Sequence, residues 1–363
     1  MRKPLSAPVL ADISLTNRCN LRCEYCYASS GDVNYMVEEL PVENYRSLFE
    51  QLDNMNVHRI SLSGGEPFVR SDFFEILGEA QKHRFAIIIN SNGTLITDEV
   101  AEKLKQYRFE RICITVDGSS ERVHDIIRGR GSFVKALQGI QKLQKYNLPV
   151  STLFTLNKNN MEDLINTIKL NESLGINYMS VMVMCPTGRA AQGKLLLTKE
   201  KWYPIFLKLS QMKERNEIKL NFKIVPPNEG SVFWLFYFPL KYYNRIDLLK
   251  YWNQDCDCKE SCEVSCQAGL KSISIMCNGD VYGCDLMIGI DEFRAGNITK
   301  NQIADIWENS ETFHKLRNIE KKDLKGKCHD CEYKWCGGGC RSAAYNLDGD
   351  IMGSDLSCFY CEV

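Results

Sequence analysis

Short β-branched apolar runs alternate with amphipathic segments along the first half of the chain. The apolar runs predict strands at Val9–Leu15, His58–Ser63, Phe85–Asn90, Arg111–Val116, Pro149–Thr155 and Tyr178–Met184. The segments between them carry apolar residues three and four positions apart and predict helices at Glu43–Leu52, Phe73–Lys82, Glu99–Tyr107, Phe133–Tyr146 and Met161–Leu174. Because parallel strands need long crossover connections, this alternation predicts a parallel sheet with right-handed crossovers.

Six strand–helix units of this kind fit a partial (β/α)6, TIM-like barrel, in which functional residues gather at the C-terminal ends of the strands. Capping residues support three of the helix ends. Asp98 and Ser132 are expected to begin two helices, and Gly175 is expected to end another. A further helix at Trp202–Met212 and a strand at Lys219–Val225 follow.

The composition is that of an ordinary globular protein. The chain has 363 residues, 44% hydrophobic and 25% charged, which suggests one large domain and a smaller one. Lys plus Arg number 45 and Asp plus Glu 46, so the net charge of −1 indicates neither a nucleic-acid partner nor an anionic membrane. The N-terminus has no apolar signal segment, so we expect a cytoplasmic protein.

Cysteine is the unusual residue, with 17 copies. Three lie near residue 20, twelve lie between Cys256 and Cys361, and Cys113 and Cys185 stand alone. Without an export signal, tight clusters of this kind favour metal ligation over disulfides. The cysteines therefore divide the chain into a catalytic half and a cysteine-rich half.

The first cluster, Cys19-x3-Cys23-x2-Cys26, directly follows the first predicted strand. Three thiolates this close fit a [4Fe–4S] cluster with one iron left open for chemistry. The alternatives are a zinc loop or a disulfide loop. Zinc loops usually space the first pair C-x2-4-C and add a second pair of Cys or His, so the C-x3-C-x2-C triplet with an aromatic residue before its last cysteine favours the iron–sulfur interpretation.

Two polar turns follow the next two strands. In Ser63-Gly64-Gly65-Glu66-Pro67 the glycines allow a ligand to approach the backbone, and the carboxylate can pair with an ammonium group. The segment Ser91-Asn92-Gly93-Thr94 is equally consistent with a plain Asn-Gly turn and with a site residue.

The octet from Cys19 to Cys26, with an aromatic residue before the last cysteine, resembles the signature of radical S-adenosylmethionine (radical SAM) enzymes. In that family S-adenosylmethionine chelates the open iron. One electron from the cluster then cleaves S-adenosylmethionine and releases a 5′-deoxyadenosyl radical, which removes a hydrogen atom from the substrate. The resemblance implies that Cys19, Cys23 and Cys26 hold the cluster and that the Tyr25 backbone contacts the adenine. A partial barrel is the fold it implies.

Further cofactor contacts are implied by the same resemblance. Gly64, Gly65 and Glu66 match the turn that grips the amino group of S-adenosylmethionine. Thr115 and Arg128 match a hydroxyl residue and a later arginine that reach the cofactor, although the family more often has serine at the first position. His124 is interpreted as a local loop anchor.

Cys185 directly follows the sixth predicted strand, which points into the barrel. A thiol there can return a hydrogen atom to a substrate radical, and the alternative is a small buried hydrophobe. The aromatic stretch at residues 230–252 favours packing between the two halves over a lid or groove wall for a peptide.

The cysteine-rich half combines a hairpin with a dense cysteine run. Cys266 and Cys284 flank a predicted Asn-Gly hairpin, and the run is Cys328-x2-Cys331-x4-Cys336-x3-Cys340 with Cys358 beyond it. A zinc module is one alternative for the run. Together with the radical SAM motif, the set resembles the SPASM domain, which carries two auxiliary [4Fe–4S] clusters, although the family has x5 where this chain has x4.

The SPASM resemblance implies two ligand sets. The first auxiliary cluster would use Cys262, Cys266, Cys284 and Cys340, with Cys262 chosen from the group Cys256, Cys258 and Cys262. The second would use Cys328, Cys331, Cys336 and Cys358. Asp285 follows Cys284, where sulfatase-maturing members have a proton acceptor; a structural aspartate is the alternative.

The resulting prediction is an α/β radical SAM enzyme. We expect the barrel at residues 1–215, an aromatic-rich bridging segment at 216–255 and a SPASM domain at 256–363. Its cofactors would be S-adenosylmethionine and three [4Fe–4S] clusters. Its partners would be a peptide or protein substrate, a reductant such as flavodoxin or ferredoxin, and either a separate leader-peptide-recognition protein or direct recognition of the core sequence, since no N-terminal recognition domain precedes the barrel.

The expected reactions are thioether or carbon–carbon crosslinking, or epimerisation, of a ribosomally made peptide. Three alternatives remain. One is a small-molecule enzyme such as a tetrapyrrole-modifying relative, one is a sulfatase-maturing enzyme, and one is an electron-transfer or metal-binding protein without catalysis.

Overall fold

A computed structural model of the chain describes residues 3–252, 264–333 and 336–360. The strands are β1 (Leu10–Ser14), β2 (Arg59–Ser63), β3 (Ala86–Ser91), β4 (Arg111–Thr115), β5 (Val150–Leu156), β6 (Tyr178–Val183), β7 (Asn221–Val225), β8 (Ser272–Ile275), β9 (Asp280–Tyr282) and β10 (Arg294–Asn297). The helices are α1 (Val42–Asn54), α2 (Phe73–Ala80), α3 (Asp98–Leu104), α4 (Glu121–Arg128), α5 (Ser132–Lys145), α6 (Leu164–Ser173), α7 (Lys199–Glu214), α8 (Phe238–Tyr242), α9 (Ile303–Asn309), α10 (Glu311–Asn318), α11 (Gly326–Asp330) and α12 (Arg341–Asp348).

The predicted strands and helices up to residue 225 are all present, so the α/β class is confirmed. The prediction that Asp98 caps α3 is wrong, because the Thr97 side chain accepts from the Val100 N–H and Asp98 pairs with Lys145 instead. Ser132 is also not a cap. It is the first residue of α5, and its hydroxyl donates to the Gly129 carbonyl.

Helix α4 was not predicted from the hydrophobic pattern. Its solvent face includes Ile126, which is 70% exposed, whereas its buried residues include His124 and Arg128. Ile127 is buried beside these polar residues, and Val123, Ile126 and Ile127 lie three and four positions apart, so the apolar residues do have helical spacing.

The chain forms two units, of which the first comprises Met1–Thr115, Arg128–Ser151 and Gln267–Asn318. Its strands follow the order β10-β9-β8-β1-β2-β3-β4. Strands β1 to β4 are parallel neighbours, and β8 pairs in parallel with β1. The predicted Asn-Gly hairpin joins β8 to β9, which is antiparallel to it. Through the β8–β1 pairing, the hairpin lies beside the strand that leads to the first cysteine cluster.

The second unit comprises Val116–Ile127, Thr152–Cys266 and Ile319–Val363, with parallel strands in the order β5-β6-β7. Much of the aromatic segment after β7 is core of this unit. Phe206 stacks on Trp252 with 4.7 Å between ring centroids and meets Phe236 edge-on at 5.1 Å. These buried rings are held by packing rather than displayed to solvent. Among the helices of the described ranges, none is long and apolar enough to span a bilayer.

Candidate active site

The three cysteines of the Cys19–Cys26 loop each accept a hydrogen bond from an N–H group. The donors, all at 3.4 Å from sulfur, are Leu21 N to Cys19, Arg128 Nε to Cys23 and Ser30 N to Cys26. Burial raises the pKa of Cys19 to about 11, so a thiolate there needs compensation from bound metal. N–H donors to the sulfurs stabilise the negative charge of an iron–sulfur cluster. The loop therefore fits such a cluster.

The Gly64-Gly65-Glu66 turn is bonded to the residues that lead into this loop. Gly65 N donates to the Thr16 carbonyl at 2.7 Å, and Glu66 N donates to the Arg18 carbonyl at 3.0 Å. Gly64 has φ of +128°, and a Cβ there would lie 2.4 Å from the Thr16 oxygen. Only glycine tolerates this conformation and this contact. Backbone hydrogen bonds thus connect the turn directly to the segment that leads into the cysteine loop.

Glu66 is fully buried, and its carboxylate is held by the end of β3. Ser91 Oγ donates to one oxygen at 2.8 Å, and Asn92 N donates to the other at 2.8 Å. Burial raises the pKa of Glu66 to about 7, against the opposing effect of these hydrogen bonds and of Arg128. A carboxylate in this balance is stabilised when an ammonium group binds beside it.

The sequence left two interpretations open for the Ser91–Thr94 segment. The segment forms a turn, and it also holds two loops together by hydrogen bonds. Asn92 Nδ2 donates to Asn20 Oδ1 at 2.8 Å, and Asn20 Nδ2 donates to Thr94 Oγ1 at 2.8 Å. These bonds connect the cysteine loop to the loop after β3. The sequence analysis gave Ser91 and Asn92 no definite role. Their position at the carboxyl end of a strand was the signal that could have identified them as site residues.

Arg128 and Thr115 are buried in the first unit, 9% and 8% exposed. The Arg128 guanidinium lies 5.8 Å from the centre of the Tyr25 ring, so it contacts the cysteine loop twice. Thr115 is the last residue of β4. His124 Nδ1 accepts from the Asp117 N–H at 3.0 Å, which agrees with its interpretation as a local anchor.

Asp285 interacts electrostatically with Asp12 on β1 and with Tyr27, one residue past Cys26. Burial first, and then the charge of Asp285, raise the pKa of Asp12 to about 7, opposed by a hydrogen bond to Ser61. Burial also raises the pKa of Asp285 and that of Tyr27. Both carboxyl groups keep partial solvent access. The segment after the hairpin therefore brings a second carboxyl within electrostatic range of Asp12 and Tyr27.

A cavity of about 210 Å³ lies within the second unit. Four of its lining residues are cysteines, namely Cys328, Cys331, Cys336 and Cys358. Burial raises the pKa of Cys336 to about 12, while the backbone N–H groups of Gly338 and Gly339 lower it by hydrogen bonding. Four thiols around one cavity fit a cluster whose ligands bind separate irons. In the described ranges, no three Cys, His, Asp or Glu residues are arranged for a single metal ion.

The remaining predicted ligands, those of the first auxiliary cluster, are not seen together around one cavity in the described residues. Cys340 lies in the second unit, with its sulfur 3.8 Å from that of Cys185, and both residues are buried. Cys266 also belongs to the second unit and Cys284 to the first, where its thiol donates to Asp285 Oδ1 at 3.2 Å. Cys262, like Cys256, Cys258 and Cys361, lies outside the described residues.

Comparison with known proteins agrees with this geometry. The sequence model of the Radical SAM superfamily matches residues 13–170, and that of SPASM, an iron–sulfur cluster-binding domain, matches residues 266–332. The chain belongs to the radical SAM superfamily and carries a SPASM domain. It is a radical SAM enzyme, and the superfamily's cofactors are S-adenosylmethionine and iron–sulfur clusters.

Three relatives illustrate the similarity. The chain is 30% identical to the AdoMet-dependent heme synthase of Methanosarcina barkeri over 98% of its own length and 97% of that protein. It is 29% identical to the mycofactocin maturase MftC of Mycolicibacterium smegmatis, with 98% and 83% covered. Its fold matches Streptococcus suis SuiB bound to precursor peptide SuiA, with a TM-score of 0.76, 18% identity, and 98% and 76% covered.

Proposed function

We propose that this enzyme removes a hydrogen atom from a peptide or protein substrate and thereby modifies it after translation. The observation that carries the proposal is the carboxyl pair Asp12 and Asp285 beside Tyr27 and the cysteine loop. Carboxyl groups accept hydrogen bonds from the N–H groups of a peptide backbone or an amine. Whichever of the two is ionised repels a ligand that carries several carboxylates of its own.

The relatives support a peptide substrate. One relative is named a maturase, and the structure of SuiB contains a precursor peptide. Both similarities extend over 98% of this chain. The proposed modifications are those expected from the sequence, namely a thioether or carbon–carbon crosslink, or an epimerised residue.

The proposed radical centre is built from the first unit. Cys19, Cys23 and Cys26 would hold its cluster. The residues proposed to contact S-adenosylmethionine are Tyr25, Gly64, Gly65, Glu66, Thr115 and Arg128. Bound there, S-adenosylmethionine supplies the 5′-deoxyadenosyl radical on reduction. The N–H donors to each sulfur and the buried carboxylate of Glu66 support this assignment.

We assign two further [4Fe–4S] clusters to the cysteine-rich region, three in all. The second auxiliary cluster would occupy the cavity lined by Cys328, Cys331, Cys336 and Cys358. The first would use Cys262, Cys266, Cys284 and Cys340. Clusters of this kind need a reductant such as flavodoxin or ferredoxin and a reducing compartment, in keeping with the 17 cysteines and a cytoplasmic location.

Two residues are proposed to act on the substrate. Asp285, which interacts electrostatically with Asp12 and Tyr27, would accept a proton. Cys185 would return a hydrogen atom in an epimerisation, and its burial beside Cys340 is equally what a packed core thiol shows. Substrate recognition would use either a separate leader-binding protein or the core sequence itself.

The test is an accurate-mass assay in deuterated water. Anaerobically reconstituted enzyme is incubated with S-adenosylmethionine, reductant and the short peptides encoded beside its gene. Loss of two hydrogens indicates an oxidative crosslink, and gain of one carbon-bound deuterium indicates epimerisation. Unchanged peptides, with a haem-precursor porphyrin consumed under the same conditions, would overturn the proposal.

A haem-precursor substrate is the second candidate, because the similarity to a heme synthase extends over nearly the whole of both chains. The variants D12N and D285N separate the two candidates. Removing a negative charge should weaken peptide processing but strengthen binding of a porphyrin that carries carboxylates. Wild-type enzyme that binds such a porphyrin tightly, and variants that bind it no better, would favour this second function.

A further inference from the structure

The cavity assigned to the second auxiliary cluster has mainly aromatic and glycine walls besides its four cysteines. Phe238, Tyr333 and Tyr360 form one side, with ring centroids 4.7 to 6.1 Å apart. Lys321, Lys322, His329 and Asp355 also line the cavity, so the charge of a bound cluster depends on these side chains and on the hydrogen-bond donors that reach its sulfurs. The backbone N–H groups of Gly338 and Gly339 are two such donors, both to Cys336.

Trp234 lines the same cavity and is only 2% exposed. Its ring is oriented by an edge-to-face contact with Phe359, at 4.9 Å and 82° between ring planes. Within the described ranges its buried indole Nε1 has no hydrogen-bond acceptor. Leaving a buried donor unpaired is destabilising, so a missing acceptor at this position calls for an explanation.

The other tryptophans in the described part of the chain do not share this feature. Nε1 of Trp202 donates to the Leu235 carbonyl at 2.8 Å, that of Trp252 to Ser210 Oγ at 2.9 Å, and that of Trp307 to the Leu5 carbonyl at 2.9 Å. Buried indoles in this protein are therefore normally paired. The exception is the indole that lines the cavity with four cysteines.

We infer that the Trp234 indole N–H donates a hydrogen bond to a sulfur atom of the second auxiliary cluster and makes that cluster easier to reduce. A donor stabilises the reduced form more than the oxidised form, because reduction adds negative charge to the sulfurs. The inference rests on the proposed assignment of Cys328, Cys331, Cys336 and Cys358 as ligands. Trp234 acts through the cluster and is a tuning residue rather than a catalytic one.

The experiment compares reconstituted full-length wild type, W234F and W252F by iron content and by redox titration followed by electron paramagnetic resonance. W234F should keep its iron, while the reduction potential of one cluster moves to a more negative value. Electron–nuclear double resonance should show one exchangeable proton coupling lost. W252F removes a paired indole away from the cavity and should leave the potential and the couplings unchanged.

An unshifted potential in W234F together with an unchanged proton coupling would overturn the inference. If W234F loads iron poorly, benzothienylalanine at position 234 keeps the ring shape and removes only the N–H, and it should give the same shift. The variant C358S tests the underlying assignment separately. Full iron content in C358S, with all cluster signals intact, would refute the ligand set itself.

Discussion

The Nε atom of Arg128 lies 3.4 Å from the sulfur of Cys23, although the two residues are 105 positions apart in the chain. Arg128 is the last residue of α4, a helix that was not predicted from the sequence, and its guanidinium also lies over the Tyr25 ring. A buried arginine that contacts the cysteine loop and acts electrostatically on Glu66 joins both parts of the proposed cofactor site. This relationship makes Arg128 the first residue to test.

We predict that R128M retains iron at the first cluster but cleaves S-adenosylmethionine at least about tenfold more slowly. A hydrogen bond to a charged group contributes about 1.5–3 kcal/mol, and each 1.4 kcal/mol corresponds to a factor of ten. The measurement is the rate of 5′-deoxyadenosine release by the reduced enzyme. R130M is the matched control, since Arg130 is exposed. Equal rates in R128M and R130M would remove Arg128 from the site.

The glycine turn gives a second prediction. A Cβ at Gly65 would lie 2.1 Å from the Arg18 carbonyl oxygen, so G65A must displace the residue before Cys19. We expect a loss of about 1–3 kcal/mol in stability together with much weaker binding of S-adenosylmethionine. Thermal unfolding and isothermal titration calorimetry measure the two effects.

Gly78 in α2 is the control for this substitution, because a Cβ there meets nothing within 4 Å. G78A should bind S-adenosylmethionine normally and gain about 0.5–1 kcal/mol from the higher helix propensity of alanine. If G65A bound the cofactor as well as G78A does, the close backbone approach would have no functional role.

The raised pKa of Glu66 predicts a pH dependence of cofactor binding. With a pKa of about 7, the carboxyl is ionised above that pH and protonated below it. The ionised form accepts hydrogen bonds from the N–H groups of the cofactor's amino group more strongly than the protonated form, so affinity for S-adenosylmethionine should fall by up to about tenfold from about pH 8 to about pH 6. The measurement is the dissociation constant of the holoenzyme across this range.

E66Q cannot ionise at this position and serves as the control. Its affinity should be low, and any pH dependence it retains reports titration of the cofactor's own amino group. The difference between the pH dependence of the dissociation constant in the wild type and in E66Q gives the contribution of Glu66 ionisation to cofactor binding. Parallel curves for wild type and E66Q would contradict the predicted role.

The sequence predicted those features that depend on local pattern. Each apolar run preceding a helix became a parallel strand, and the Asn278-Gly279 turn became a hairpin. The local pattern did not predict that β8 pairs with β1, because that pairing joins segments more than 250 residues apart. The proximity of Asp285 to Asp12 follows from this pairing, so it could not be predicted from the sequence either. Helix α4 was missed although Val123, Ile126 and Ile127 have helical spacing; it is only eight residues long, and its buried residues include the polar His124 and Arg128 as well as Ile127.

The contact between Cys185 and Cys340 supplies the last prediction. Their sulfurs are 3.8 Å apart, so in cluster-free protein a mild oxidant should join them in a disulfide, which peptide mapping detects. If Cys340 is a cluster ligand, its sulfur is bound to iron after reconstitution, and the link should form much more slowly. Cys113, buried with its sulfur 3.2 Å from Ser151 Oγ, is the control thiol and should stay unlinked in both states. A link that forms equally fast with and without clusters would show that Cys340 is not a ligand and would leave Cys185 as a core thiol.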